Sequence, residues 1–237
     1  MKRLKNIDRL YSLDALRGFD MFWIIGAEEI FHKMAEIKSN VFWHELSNQF
    51  IHPEWHGFVF YDLIFPLFLF LSGVATPYSI GNQIAKGKKK SNLLKKVVKR
   101  GLILVLLGVI YNNGLEIKSI EEIRFGSVLG RIGLAYMFAN IIYLFANQRN
   151  QIIWFLSLLV GYWGIILFFS APGYSPGDLS IEGNIISYLD RVIMPGKLFL
   201  VIHDPEGLFS TIPAISTALL GIYTGNILIK TNTNKKK

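Results

Sequence analysis

The stretch HPEWHGFVFYDLIFPLFLFLSGVATPYSI, residues 52–80, decides the fold. Its second part is an apolar block long enough to cross a hydrocarbon core, and only Asp62 in it is charged. Its first part places two imidazoles, His52 and His56, and an indole, Trp55, where an apolar span meets water. Imidazole titrates near pH 6.5, so both histidines can take or give a proton at neutral pH. A carboxylate just inside a span is costly without a partner or a polar cavity. Pro66 cannot donate to the Asp62 carbonyl four residues earlier, so the sequence predicts a kink beside that carboxylate. Interface anchoring alone would also explain Trp55 and the histidines.

Outward from this stretch, five further apolar blocks complete an all-α polytopic bundle. The predicted spans are residues 17–31, 58–80, 97–115, 126–146, 151–170 and 208–230. They form one membrane domain, 1–237, with a proline-broken outer loop at 171–207. The first block is interrupted by Asp20, Glu28 and Glu29 and is too polar for a cleaved leader. At its start, Ser12 is placed as a helix cap, with Asp14 at the positive end of the dipole.

A net charge of +8 invites a nucleic-acid reading, but the placement of the charge argues against it. Of 25 basic residues, 18 fall on alternate connections: Lys2, Arg3, Lys5, Arg9 and Arg17, the run from Lys86 to Arg100, Arg149, Lys230 and Lys235 to Lys237. The other connections carry 11 of the 17 acidic residues. The positive-inside rule therefore predicts cytoplasmic termini, with all five histidines facing the other side. Basic loops on that face suit anionic lipid headgroups or a phosphorylated ligand arriving from the cytoplasm. No cysteine is present, which removes disulfides and thiolate chemistry. We assign no metal, because His52 and His56 share a helical face only if Pro53 starts a helix at once.

Inside the spans, Arg131 is expected as a counterion for Asp62, the structural alternative being an ion pair that fixes packing. Arg17, at the cytoplasmic edge, suits phosphate oxygens. Glu28 and Glu29 point about 100° apart on a helix, so only one of them can face the same cavity as His52. Gly126 and Gly130 have the spacing of a close helix contact.

Several motifs resemble one family. Tyr11-Ser12-Leu13-Asp14-Ala15-Leu16-Arg17-Gly18, the segment His52 to Gly57, and Asp62-Leu63-Ile64-Phe65-Pro66 are similar to bacterial relatives of heparan-alpha-glucosaminide N-acetyltransferase. Arg124, Val128, Leu129, Arg131 and Gly133 resemble its fourth-helix pattern, and Asp204-Pro205-Glu206-Gly207-Leu208 its later motif. The resemblance implies a membrane acetyltransferase in the bacterial inner membrane, with acetyl-CoA as acyl donor and an outer-side amino sugar as acceptor. It makes His52 catalytic, either acetylated or acting as a base, with Asp62 orienting it. Arg17 and Arg131 would meet the donor, and Glu28, Trp55, His56, Asp204 and Glu206 the acceptor. Glu28 and Gly130 stand where the family often has asparagine and glutamine, so contacts of those amides do not carry over. The family normally continues through further spans, which points to an N-terminal portion, to a homo-oligomer or partner supplying the rest, or to an inactive shortened member. A small-solute or proton-coupled transporter is the rival class, since Asp62, Arg131 and a proline-kinked helix also suit a transport path.

Overall fold

A computed structural model describes residues 10–38, 40–116 and 118–235. Lys2, Arg3, Lys5, Arg9, Lys236 and Lys237 of the basic termini lie outside the described residues. The described chain is helical, with two isolated bridges, Arg124 to Gly196 and Ser170 to Asn184, as its extended pairings. It divides into two compact units, Met1–Leu71 and Ser72–Lys237.

In the first unit, α1 (Tyr11–Ile24) and α2 (Glu28–Lys38) are separate helices. The expected span 17–31 is thus divided. Gly26 takes φ +116, a conformation open to glycine, and the Ile25 and Gly26 amides turn back to Met21 and Trp23. Glu28 and Glu29 then sit in the first turn of α2, where the helix dipole favours negative charge. Ser12 is not the cap. The amides of Leu13 and Asp14 bond to the Leu10 carbonyl, so α1 begins before Ser12 is reached. The helix α3 (Val41–Asn48) is capped by Asn40, whose side chain accepts from the Trp43 amide.

Aromatic rings hold this unit together. Trp23 stacks on Phe50 at 5.0 Å and on Phe31 at 5.7 Å, and Phe31 stacks on Phe50 at 4.6 Å. Each such pair contributes about 0.5–1.5 kcal/mol beyond the area it buries. Phe60 and Tyr61, in the 3-10 turn Phe60–Leu63, pack on the same cluster. That turn leads into α4 (Ile64–Thr76).

In the second unit, the helical run continues through a π turn, Pro77–Gly81, into α5 (Asn82–Ala85). Pro77 has no amide to donate, and a widened turn accommodates the gap. The helix α6 (Lys90–Asn113) lies along α7 (Val128–Phe145), which Ser127 caps through the Gly130 amide. The close contact here is Gly101 against Gly133: a methyl on Gly133 would sit 2.7 Å from the Gly101 carbonyl oxygen. Gly130 takes part in the same contact, since a methyl on Gly108 of α6 would sit 3.0 Å from the Gly130 amide nitrogen, whereas Gly126 precedes α7 and faces Asp204 instead. The helices α8 (Gln148–Phe168) and α10 (Thr211–Lys235) complete the packing, α10 lying against α7 and α8. Asn140 ties α7 to α4, accepting from the Thr76 hydroxyl at 3.0 Å.

Four described helical runs are long and apolar enough to cross a membrane: Phe60–Ala85, Val128–Phe145, Gln148–Phe168 and Thr211–Thr231. Among the described residues α8 buries none of its own, and its apolar surface, with Trp154, Val160 and Trp163 exposed, suits lipid. The expected span 97–115 falls in α6, whose uncharged part is only residues 101–113. The expected loop 171–207 is built rather than open, since it contains α9 (Ile185–Ile193), capped by Asn184.

Candidate functional site

In the first unit, the chain from Ile51 to Val59 is not helical, which leaves the His52-to-Gly57 segment as a loop on the aromatic cluster. Gly57 takes φ +150, and a methyl there would lie 2.9 Å from the Pro53 ring, so the loop needs glycine at its end. The 3-10 turn then swings Asp62 back toward the loop. Asp62 Oδ2 accepts from the Val59 amide at 2.9 Å, and Oδ1 lies 2.6 Å from His52 Nδ1. The carboxylate is thus fixed by backbone before it touches the ring. His52 is 62% exposed while Asp62 is 25% exposed, so the pair has a sheltered end and an open one. With Asp62 accepting, Nδ1 is the protonated nitrogen and Nε2 carries the free lone pair, the form a base or nucleophile requires.

One ring, Tyr61, lies against the His52 imidazole, with centroids 5.1 Å apart, and its hydroxyl interacts electrostatically with Glu28. Trp55 meets His56 edge to face at 6.0 Å, and His56 is exposed. Arg17 is on α1, 3.8 Å from Asp14.

The second unit holds a different constellation. Arg124 Nε and Nη2 grip Asp204 at 2.9 and 2.7 Å, and Nη2 also holds Glu206. The guanidinium lies 4.4 Å over the Phe199 ring. Asp204 is fully buried, and the amides of Phe199 and Glu206 complete its shell at 3.1 and 3.0 Å. A methyl on Gly126 would come within 2.8 Å of that carboxylate, so this glycine makes room for Asp204. Asn113 pins the Arg124 backbone by accepting from its amide and donating to its carbonyl, both at 2.9 Å. Arg131 donates to the carbonyls of Pro205 and Ser210, on the same segment, whereas Asp62 has His52 as its side-chain partner.

Burial opposes ionisation of Asp204, but Arg124 and the two amides outweigh it and hold the carboxyl below its usual range. Burial, with Asp204 nearby, lifts Glu206. Asp190, on α9, is 1% exposed, and burial lifts it to about 6 against the pull of the Phe209 and Leu208 amides. His203 bonds Ser187 Oγ at 3.0 Å, and burial lowers its pKa.

The structure therefore brings His52, Asp62 and Glu28 to one corner, the last through Tyr61, and Arg124, Asp204, Glu206 and Arg131 to another. Sequence reading missed Tyr61, Asp190 and the gripping role of Arg124. Tyr61 is adjacent to Asp62 and could have been found from that alone. The partners of Arg124 lie 80 and 82 residues away and leave no local signal.

The sequence profile of the family described as "Heparan-alpha-glucosaminide N-acetyltransferase, catalytic" matches residues 9–237. The chain belongs to that family. The human heparan-alpha-glucosaminide N-acetyltransferase is 26% identical over 269 aligned residues, covering 93% of this chain and 39% of the human protein. The mouse protein of the same name is 25% identical over 275, covering 96% of this chain and 40% of its own length. This chain thus spans about two fifths of the length of these relatives. The family match runs through both corners, so neither is an addition to it.

Proposed function

We propose that this protein is an integral membrane acetyltransferase that moves an acetyl group from acetyl-CoA to an amino sugar on the non-cytoplasmic side. The observation that carries the reading is the His52–Asp62 pair, 2.6 Å apart, with its imidazole open to solvent, in a chain of an N-acetyltransferase family. Asp62 selects the tautomer and stabilises the imidazolium as it forms, and His52 Nε2 meets the acyl carbon or the acceptor's proton. Both the acetyl-histidine route and direct base catalysis use this geometry. Arg17, with the basic run from Lys86 to Arg100, would draw the phosphates of the donor to the cytoplasmic face, and six spans with both termini on that side would place His52 opposite. Trp55 and His56 would border the acceptor. Arg131, Asp204 and Glu206 are assigned to building the long outer segment, on the strength of their bonds to it.

The test is reconstitution of the full chain in liposomes with acetyl-CoA and glucosamine. Acetyl-CoA-dependent formation of N-acetylglucosamine is the expected result. Glucosamine accumulation inside the vesicles without acetylation would replace the enzyme with a carrier.

A further inference from the structure

Acetylating an amine involves two protons. At neutral pH an alkyl amine is an ammonium, and it must lose one proton to become a nucleophile and a second to end as an amide. The departing thiolate takes back one of them. Asp62 occupies Nδ1 of His52, so a single imidazole nitrogen remains to manage proton traffic at the reacting centre. It can shuttle one proton from nitrogen to sulfur, but the other needs a second acceptor.

The first unit contains one. Tyr61 lies against the His52 ring, 5.1 Å away between centroids, and its hydroxyl interacts electrostatically with the Glu28 carboxylate. The break at Gly26 starts a new helix at Glu28, so this carboxylate sits in a first turn rather than inside a continuous span. Glu28 Oε2 is buried and, among the described residues, has no hydrogen-bond partner. Leaving a buried acceptor unmatched costs about 1–3 kcal/mol, and more for a charged group. A carboxylate oxygen left without a donor is available as a hydrogen-bond or proton acceptor.

We propose that Glu28, linked to His52 through Tyr61, is the second proton acceptor of the transfer. This rests on the acetyltransferase reading and deepens it. The acceptor's ammonium binds Glu28. An N–H bond breaks, the proton passes to the carboxylate and the electron pair stays on nitrogen. That pair attacks the acyl carbon, held either in the thioester or on His52. The bond from carbon to its leaving group breaks, and the second nitrogen-bound proton returns by way of imidazole to the thiolate. One proton leaves through Glu28 for each amide formed, which balances the reaction. Tyr61 is a positioning residue. It packs against the imidazole, with ring centroids 5.1 Å apart.

The test compares wild type with Glu28→Gln, Glu28→Asp and Tyr61→Phe in full-length reconstituted protein, following acetyl-CoA and glucosamine kinetics from pH 6 to 9. Glu28→Gln keeps the shape of the side chain and removes the proton acceptor, so kcat/KM for glucosamine should fall about 100-fold at pH 7. The deficit should shrink as pH rises and bulk solvent supplies the neutral amine. Glu28→Asp should recover part of the rate, and Tyr61→Phe should lose about 5- to 10-fold. A Glu28→Gln rate equal to wild type at pH 7, or a deficit of constant size across the pH range, would overturn the assignment while leaving the enzyme standing. A wild type that acetylates no amine would overturn the enzyme and this step with it.

Discussion

The two corners of this molecule use the same chemistry in opposite ways. At Asp62 a carboxylate takes one backbone amide and one imidazole, and the imidazole is left 62% exposed. At Asp204 a carboxylate takes two amides and two guanidinium nitrogens, and nothing of it reaches solvent. The first arrangement holds a titratable ring by one edge and offers the other. The second uses up every lone pair, and so fixes a chain segment without leaving a group to react. Full hydrogen-bond satisfaction marks architecture, whereas partial satisfaction on a rigid base marks chemistry.

Removing the grip at the closed corner should have the largest effect. Arg124→Ala leaves the buried Asp204 with its two amides alone and the part-buried Glu206 without its ion-pair partner, at a cost of about 3–5 kcal/mol. Thermal unfolding in detergent should show this as a large drop in midpoint or a failure to accumulate folded protein. A variant that melts like wild type would show the closed corner to be dispensable. At the open corner the expectation reverses. Asp62→Asn keeps the shape but loses the charge that stabilises the imidazolium, so the acetyl-transfer rate should fall about 100-fold with little change in melting. Equal rates would mean that the 2.6 Å contact has no chemical role.

The smallest effect is expected at Asp190, near the closed corner. Burial lifts its pKa to about 6, so its contribution to stability is complete below pH 4 and is lost as pH rises through 6. Asparagine does not titrate. The stability of wild type minus that of Asp190→Asn should therefore decline from pH 4 to pH 7, by about 1–3 kcal/mol. A difference that stays flat over that window would place the carboxyl in an environment as polar as water.

Hydropathy made the spans near 58–80, 126–146, 151–170 and 208–230 legible, because apolar blocks of that length have few alternatives to a long helix. It overran at 17–31, where Gly26 adopts a positive φ that block composition does not register. At 97–115 it marked a helix whose first half is basic, and that helix is continuous from Lys90. His52 and Asp62 could be paired from sequence because only ten residues and one turn separate them. Arg124 and Asp204 could not, since three helices, α7, α8 and α9, lie between them. For the same reason, Asp204 and Glu206 read from sequence as acceptor-binding groups with no sign that Arg124 bonds both oxygens of the first and one of the second. A motif carries residue identity but not the partner waiting at the end of a long segment.

The central claim is that the exposed imidazole at the open corner does the chemistry. It is tested most directly by His52→Ala, with acetyl transfer from acetyl-CoA to glucosamine and the melting midpoint measured on the same preparation. The account predicts a rate lower by about 1,000-fold or more with an unchanged midpoint. Retained transfer by a folded His52→Ala protein would contradict it.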